Sequence, residues 1–217
     1  MEDETLVQLS AEEQRVLGAL IEKSKTTPDY YPLTLNSLQT ACNQKSSRNP
    51  VVEYDEETVV LTLDSLKKKG LIANVIGASG SRALKYRHTI AVKFPLDPAE
   101  TSVLCLLFLR GPLTAGEINS NSGRLHEFDS LQEVQETLEQ LASYETPFVH
   151  LLPKRPGQKE ARYYHCFGEA PEMNESDFAH EPARKNVSEL EERLTKVETE
   201  LAELKENFEK LMKELMG

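Results

Sequence analysis

The feature that most constrains this chain is an internal repeat. The stretch LSAEEQRVLGAL at residues 9–20 realigns on LDPAETSVLCLL at 96–107 with an offset of 87, pairing Leu9 with Leu96, Glu13 with Glu100, Val16 with Val103, Leu17 with Leu104 and Leu20 with Leu107. A second match, VVLTLDSL (59–66) on VQETLEQL (134–141), has an offset of 75 and pairs Val59 with Val134, Leu63 with Leu138 and Leu66 with Leu141. The 12-residue difference between the offsets predicts a shorter connection between the first and third elements of copy two.

Each copy spells the same element order. Ser10 and Asp97 precede apolar residues at helical spacing and are suited to cap a first helix, with Pro98 at a first helical position and Glu13 and Glu100 at the capping-box position. LTLNSLQTACN (33–43) and LTAGEINSNSG (113–123) read as short second helices capped by Thr34 and Thr114. The i, i+4, i+7 spacing of the second match places three apolar residues on one face of a third helix. Two β-like stretches around a glycine-containing turn follow: GLIANVIG and ALKYRHTI in copy one, FVHLLP and ARYYHCF in copy two. Three helices and a hairpin, occurring twice, predict an α+β, mainly α fold of two tandem winged-helix domains, over residues 8–93 and 94–169.

From 170 to 186 the chain turns polar and proline-containing, the composition of a linker. Beyond it Val187, Leu190, Leu194, Val197, Leu201, Leu204, Phe208, Leu211 and Leu215 recur at alternating spacings of 3 and 4, which predicts a coiled coil over 187–216. In a parallel homodimer Arg193 meets Glu198 and Glu200 meets Lys205, whereas an antiparallel pairing centred near Leu201 sets Glu200 beside its own copy. Parallel dimerisation is the expectation; the alternative is that the helix folds back on its own domains.

These stretches carry a resemblance. The segment from LSAEEQRVLG to QKSSRNPVV, with TTPDYYPLTLN and ACNQKS inside it, and the later RPGQKEARYYH resemble the signature stretches of the YceH family, bacterial tandem winged-helix proteins of uncharacterised function. The match runs from about residue 9 to 167, and Ser47 stands where the family pattern has Asn. The resemblance implies the fold and a cytoplasmic bacterial setting, and no reaction or ligand.

The net charge of −11 is unevenly spread, with zero over residues 1–95, −5 over 96–170 and −6 over 171–217. A negative chain repels polyphosphate unless cations are locally clustered. Such clusters are Lys45 and Arg48 in NQKSSRNP, Arg82, Lys85 and Arg87 on wing one, and Lys154, Arg155, Lys159 and Arg162 on wing two, where Gly157 permits a tight tip. They are candidates for contact with double-stranded DNA, or charges that keep an exposed β-edge soluble. The third helices argue against base reading. Copy one opens with Asp55, Glu56 and Glu57, its Lys67, Lys68 and Lys69 trailing, as the helix dipole favours. Copy two offers Asp129, Glu133, Glu136 and Glu139 and no cation, so Glu133 and Glu136 become candidates for a protein partner. The architecture also resembles, as a fold-level analogy, the acidic tandem winged-helix subunits of bacterial condensin complexes.

Catalysis finds no motif. The five histidines show no HxH or HxxxH pair, Cys42, Cys105 and Cys166 are widely separated, and P-loop, GxGxxG and GxSxG patterns are absent. No cofactor or metal is expected. His88 and His165 hold equivalent places after KYR and RYY, a repeated structural position; Cys105 reads as a buried hydrophobe; Tyr30 and Tyr31 read as a clamp for their loop. No apolar run reaches the roughly 18 residues that span a bilayer, and no leader pattern opens the chain, so a soluble cytoplasmic protein is expected. Two classes of function stay open: a dimeric DNA-binding regulator, and a protein-interaction module.

Overall fold

The computed structural model describes residues 6–76, 84–154 and 160–169. The elements run α1 (Ala11–Thr26), β1 (Leu33–Thr34), α2 (Leu35–Cys42), α3 (Glu56–Lys68), β2 (Ile72–Ile76), β3 (Leu84–His88), α4 (Ile90–Lys93), α5 (Pro98–Arg110), α6 (Ala115–Ser122), α7 (Leu131–Ser143), β4 (Val149–Leu151) and β5 (Tyr163–His165). The fold is mixed α+β, with helices predominating over two small antiparallel sheets. Residues 187–216, with every position of the expected coiled coil, lie outside the described residues, as do Arg82, Arg155, Lys159 and both hairpin tips.

The order of three helices and a hairpin recurs, and the local signals behind it are met. Ser10 Oγ accepts from the Glu13 amide while the Glu13 carboxylate accepts from the Ser10 amide, and Asp97 and Glu100 repeat this reciprocal box. Thr34 and Thr114 cap α2 and α6 through their hydroxyls. Each such cap stabilises its helix by about 1 kcal/mol. Val59, Leu63 and Leu66 on α3 are buried, as are Val134, Leu138 and Leu141 on α7, so the repeated spacing marks the core face of each third helix. The second copy is shorter in its first helix and in the connections to its second and third helices, and its sheet is also smaller: β1, β3 and β2 form three strands in that order, while the second sheet has β4 and β5, with a single bridge from Leu113 to Tyr163 where β1 pairs Leu33 with Tyr86.

Both capping glutamates extend their reach beyond the box. Glu13 also accepts from Ser65 and Lys69 at the far end of α3, and Glu100 accepts from Tyr144 just after α7. Burial opposes ionisation of Glu13, but the bonds from Lys69 and Ser65 outweigh it and hold the carboxyl below its usual range. One side chain per repeat thus ties the start of the first helix to the end of the third.

The two copies meet through α1 and α5, the most extensive helix–helix packing among the described residues. Gly18 lies at the crossing: a Cβ there would come within 2.9 Å of Leu109 and 3.1 Å of the Phe108 Cβ. Cys105 Sγ donates to the Gly18 carbonyl at 3.4 Å, and both cysteine and glycine are small enough to let the backbones approach. Gly18 and Cys105 are 87 residues apart, the repeat offset, so equivalent positions of the two copies face one another. That is the mark of two-fold packing, in which a patch meets its own counterpart. The N-terminal segment adds a seam, Leu9 N–H donating to Phe167 O at 2.6 Å, and the described residues all belong to one compact unit. No described helix is long and apolar enough to cross a membrane.

Candidate functional site

The loop after α2 carries two of the basic candidates, and the structure separates them. Lys45 is exposed. Arg48 corrects the sequence reading: its side chain is fully buried, and its guanidinium donates to both oxygens of Glu22 at 3.0 and 2.6 Å, to Ala41 O, to Gln44 Oε1 and to Ser47 O. Burial works against the charge on Glu22, but the Arg48 pair prevails and keeps its pKa low. A charged side chain so enclosed fastens the loop to α1 and is withheld from any phosphate. Ser47, at a φ of 59°, bends the backbone so that Arg48 turns inward, a left-handed conformation Asn adopts more readily than Ser.

The hairpins divide similarly. On β3, Lys85 is half-buried and Arg87 exposed; Lys154, beyond β4, is exposed. Arg162 is a second correction. Its two terminal nitrogens bind the two Glu117 oxygens at 2.6 and 2.8 Å, and one donates also to Pro112 O. This fork locks the strand approach of β5 to the start of α6, where the same Glu117 completes a capping box with Thr114. Lys45, Lys85, Arg87 and Lys154 are thus the candidate cations the structure leaves toward solvent among the described residues.

The third helices present no cationic reading face. The exposed residues of α3 are Glu56, Glu57, Val60, Leu61, Asp64, Lys67 and Lys68, with Val60 37% and Leu61 63% accessible. On α7 they include Leu131, Gln132, Gln135, Glu136 and Glu139. Glu136 accepts from Gln132 one turn earlier and is free toward a partner on its outer side. Glu133, its side chain 38% exposed, is also engaged within the helix: it accepts from the Asp129 amide at 2.6 Å, its own amide is capped by Ser130, and His126 Nε2 lies 3.8 Å away. Its first duty is to the start of the helix.

His88 and His165 are both structural, as their repeated position suggests. His88 Nε2 lies 3.2 Å from Ser24 Oγ, whose own proton goes to Ile21 O, and His165 Nε2 lies 3.1 Å from Gln14 Oε1. In each case Nε2 must be the donor, and the buried, unpartnered Nδ1 disfavours a second proton, so the ring is held neutral. Burial is the chief cause that pushes the pKa of His88 down to about 4 and that of His165 to about 3, the charges of Lys25 and Arg87 adding to the effect at His88. Tyr31 clamps its loop, its hydroxyl accepting from the His88 amide at 2.8 Å, whereas Tyr30 is exposed. Cys42 and Cys105 are buried free thiols raised well above the usual range by desolvation. Among the described residues no three His, Cys, Asp or Glu side chains come together as a metal-binding group.

Sequence reasoning missed one feature. Between the repeats lies a cleft of about 620 Å³, bordered by the start of α1, the loop around Pro50 and the C-terminal half of α5. Arg15 lines it, buried at 3% exposure, and nothing in the local sequence AEEQRVL distinguishes it from a solvated helical arginine.

The sequence model of the family described as "Protein of unknown function, DUF480" matches residues 9–158. Among curated proteins, a UPF0502 protein of Shewanella piezotolerans is 46% identical over 207 residues, covering 92% of this chain and 95% of the relative. UPF0502 proteins of Geotalea uraniireducens and Opitutus terrae are 48% identical over 192 residues and 49% over 181, covering 88% and 83% of this chain and 87% and 78% of their own lengths.

Proposed function

The chain belongs to the DUF480 family, and from the geometry of its own residues we propose that it is a non-enzymatic tandem winged-helix adaptor that binds a protein partner through its third helices. The recurring order of three helices and a hairpin supports the winged-helix reading. The observation that carries the partner reading is the outer face of α3, where exposed Val60 and Leu61 have Glu57 one turn before them and Asp64, Lys67 and Lys68 in the turns that follow. An apolar centre with a charged rim of both signs is the composition of a protein interface. Reading bases requires Arg, Lys, Asn or Gln at the groove-facing positions, and α3 has none before Lys67. The test is cross-linking of the full chain in extracts of its host, beside Leu61→Asp. A cross-linked protein lost with Leu61→Asp supports the reading; a set of cross-links indifferent to that substitution overturns it.

Binding to the DNA backbone is the second reading, favoured by Lys85 and Arg87 on β3 with Lys45 and Lys154 exposed elsewhere. Phosphate contact makes affinity fall steeply with salt. Anisotropy of labelled mixed-sequence duplex at about 50 and 200 mM salt tests it, and absence of binding at the lower salt removes it. Dimerisation through residues 187–216 completes the proposal, tested by sedimentation of the full chain beside Leu201→Asp; a monomeric parent sinks it.

A further inference from the structure

We propose that the cleft between the two repeats binds a small monocarboxylic acid with an apolar body, and that the charge of Arg15 selects it. The cleft's volume, about 620 Å³, lies within the range of roughly 300 to 1,000 Å³ typical of small-molecule sites, which favour interfaces between structural units.

Arg15 lacks a counter-ion. Its terminal nitrogens donate to Cys42 O at 3.2 Å and Pro50 O at 2.5 Å, its Nε has no partner, and no carboxylate among the described residues pairs with it. Buried charges in proteins are ordinarily paired. The other buried arginine, Arg48, obeys that rule through Glu22, and its like charge adds to the imbalance at Arg15. Burial first, and Arg48 in addition, hold the Arg15 pKa below its ordinary value. A carboxylate in the adjoining cleft supplies the missing negative charge.

The remaining walls set the rest of the ligand. Leu107, Phe108, Val52 and Tyr54 offer an apolar body its contacts, and exposed Glu169 at the border opposes a second negative charge. The site is single despite the repeat, because the residue 87 positions after Arg15 is Ser102. The inference is independent of any partner bound by α3.

The test is calorimetric titration of the full chain with benzoate and phenylacetate, beside benzamide and phenylacetamide, which match their shapes without the charge. The expected result is saturable binding of at least one acid with Kd below about 1 mM, at least about tenfold tighter than its amide. Arg15→Met is expected to lose it. Because that variant bears on the core, Val52→Glu provides a second reading: placing a carboxylate in the cleft, it abolishes binding while the melting temperature is retained. No saturable binding of either acid by about 10 mM, equal affinity for acid and amide, or undiminished binding by Val52→Glu overturns the proposal.

Discussion

The thiol of Cys105 donates to the carbonyl oxygen of Gly18 at 3.4 Å, and these two residues are each other's counterparts in the repeat. The relationship extends to their neighbours. Leu109 packs over Gly18, and its counterpart Glu22 is the residue whose charge most raises the Cys105 thiol after burial itself. The two halves therefore associate as a dimer does, although they are one chain.

Gly18→Val tests that association. The added methyl groups enter a space already closed by Leu109 and the Phe108 Cβ, and overpacking of this kind costs about 1 to 3 kcal/mol. The expected outcome is a lower urea midpoint. A variant as stable as the parent contradicts the tight crossing of α1 and α5.

Arg48→Ala is expected to lower stability by about 2 to 3 kcal/mol, because it leaves the carboxylate of Glu22, whose side chain is 13% exposed, with Lys23 at 3.1 Å in place of the buried two-point pair. Adding Glu22→Leu removes that charge and is expected to recover part of the loss. Equilibrium denaturation of the single and double variants measures both. A loss within about 0.5 kcal/mol for Arg48→Ala, the range of ordinary surface substitutions, places the arginine outside the core.

Stability is expected to decline with acid in a defined window. His88 and His165 take up protons near pH 6.5 when unfolded but only near 4 and 3 when folded, so between these values the unfolded state binds more protons. The histidine contribution is fully present above about pH 6.5 and is lost as the pH falls. For His165, entirely buried, the loss by pH 4 is on the order of 3 kcal/mol. Denaturation curves at stepped pH measure the slope, which His165→Gln is expected to flatten; an unchanged slope denies the ring its buried neutral state.

Two glutamates one turn apart on α7 are expected to differ. Glu133→Lys removes the acceptor for the Asp129 amide and puts a cation at a helix start, at a cost of about 1 kcal/mol or more. Glu136→Lys, on the exposed face, is expected to stay within about 0.5 kcal/mol of the parent. Thermal unfolding separates them, and equal effects refute the cap.

The helices and their caps were legible because their signals are local: Ser10 with Glu13, Asp97 with Glu100, and the apolar triplets of the third helices depend on spacings of three to seven residues. Burial of individual charges was not. Arg48 and Arg162 sit in basic-looking loops, yet their partners, Glu22 and Glu117, lie 26 and 45 residues away, and only the closed fold brings them together. Arg15 carries no local signal for the converse reason: an arginine in a first helix reads as solvated until the loop around Pro50 and the end of α5 are set against it. The short helix α4, between the repeats, carries only four residues, too few for a periodic signal.

The facing of Gly18 and Cys105 has a kinetic and thermodynamic corollary. A non-covalent dimer of such halves would come apart as the protein is diluted, its interface governed by a dissociation constant. Here the connection from β3 to α5 holds each half at a fixed effective concentration near the other, so their association is insensitive to how much protein a cell contains.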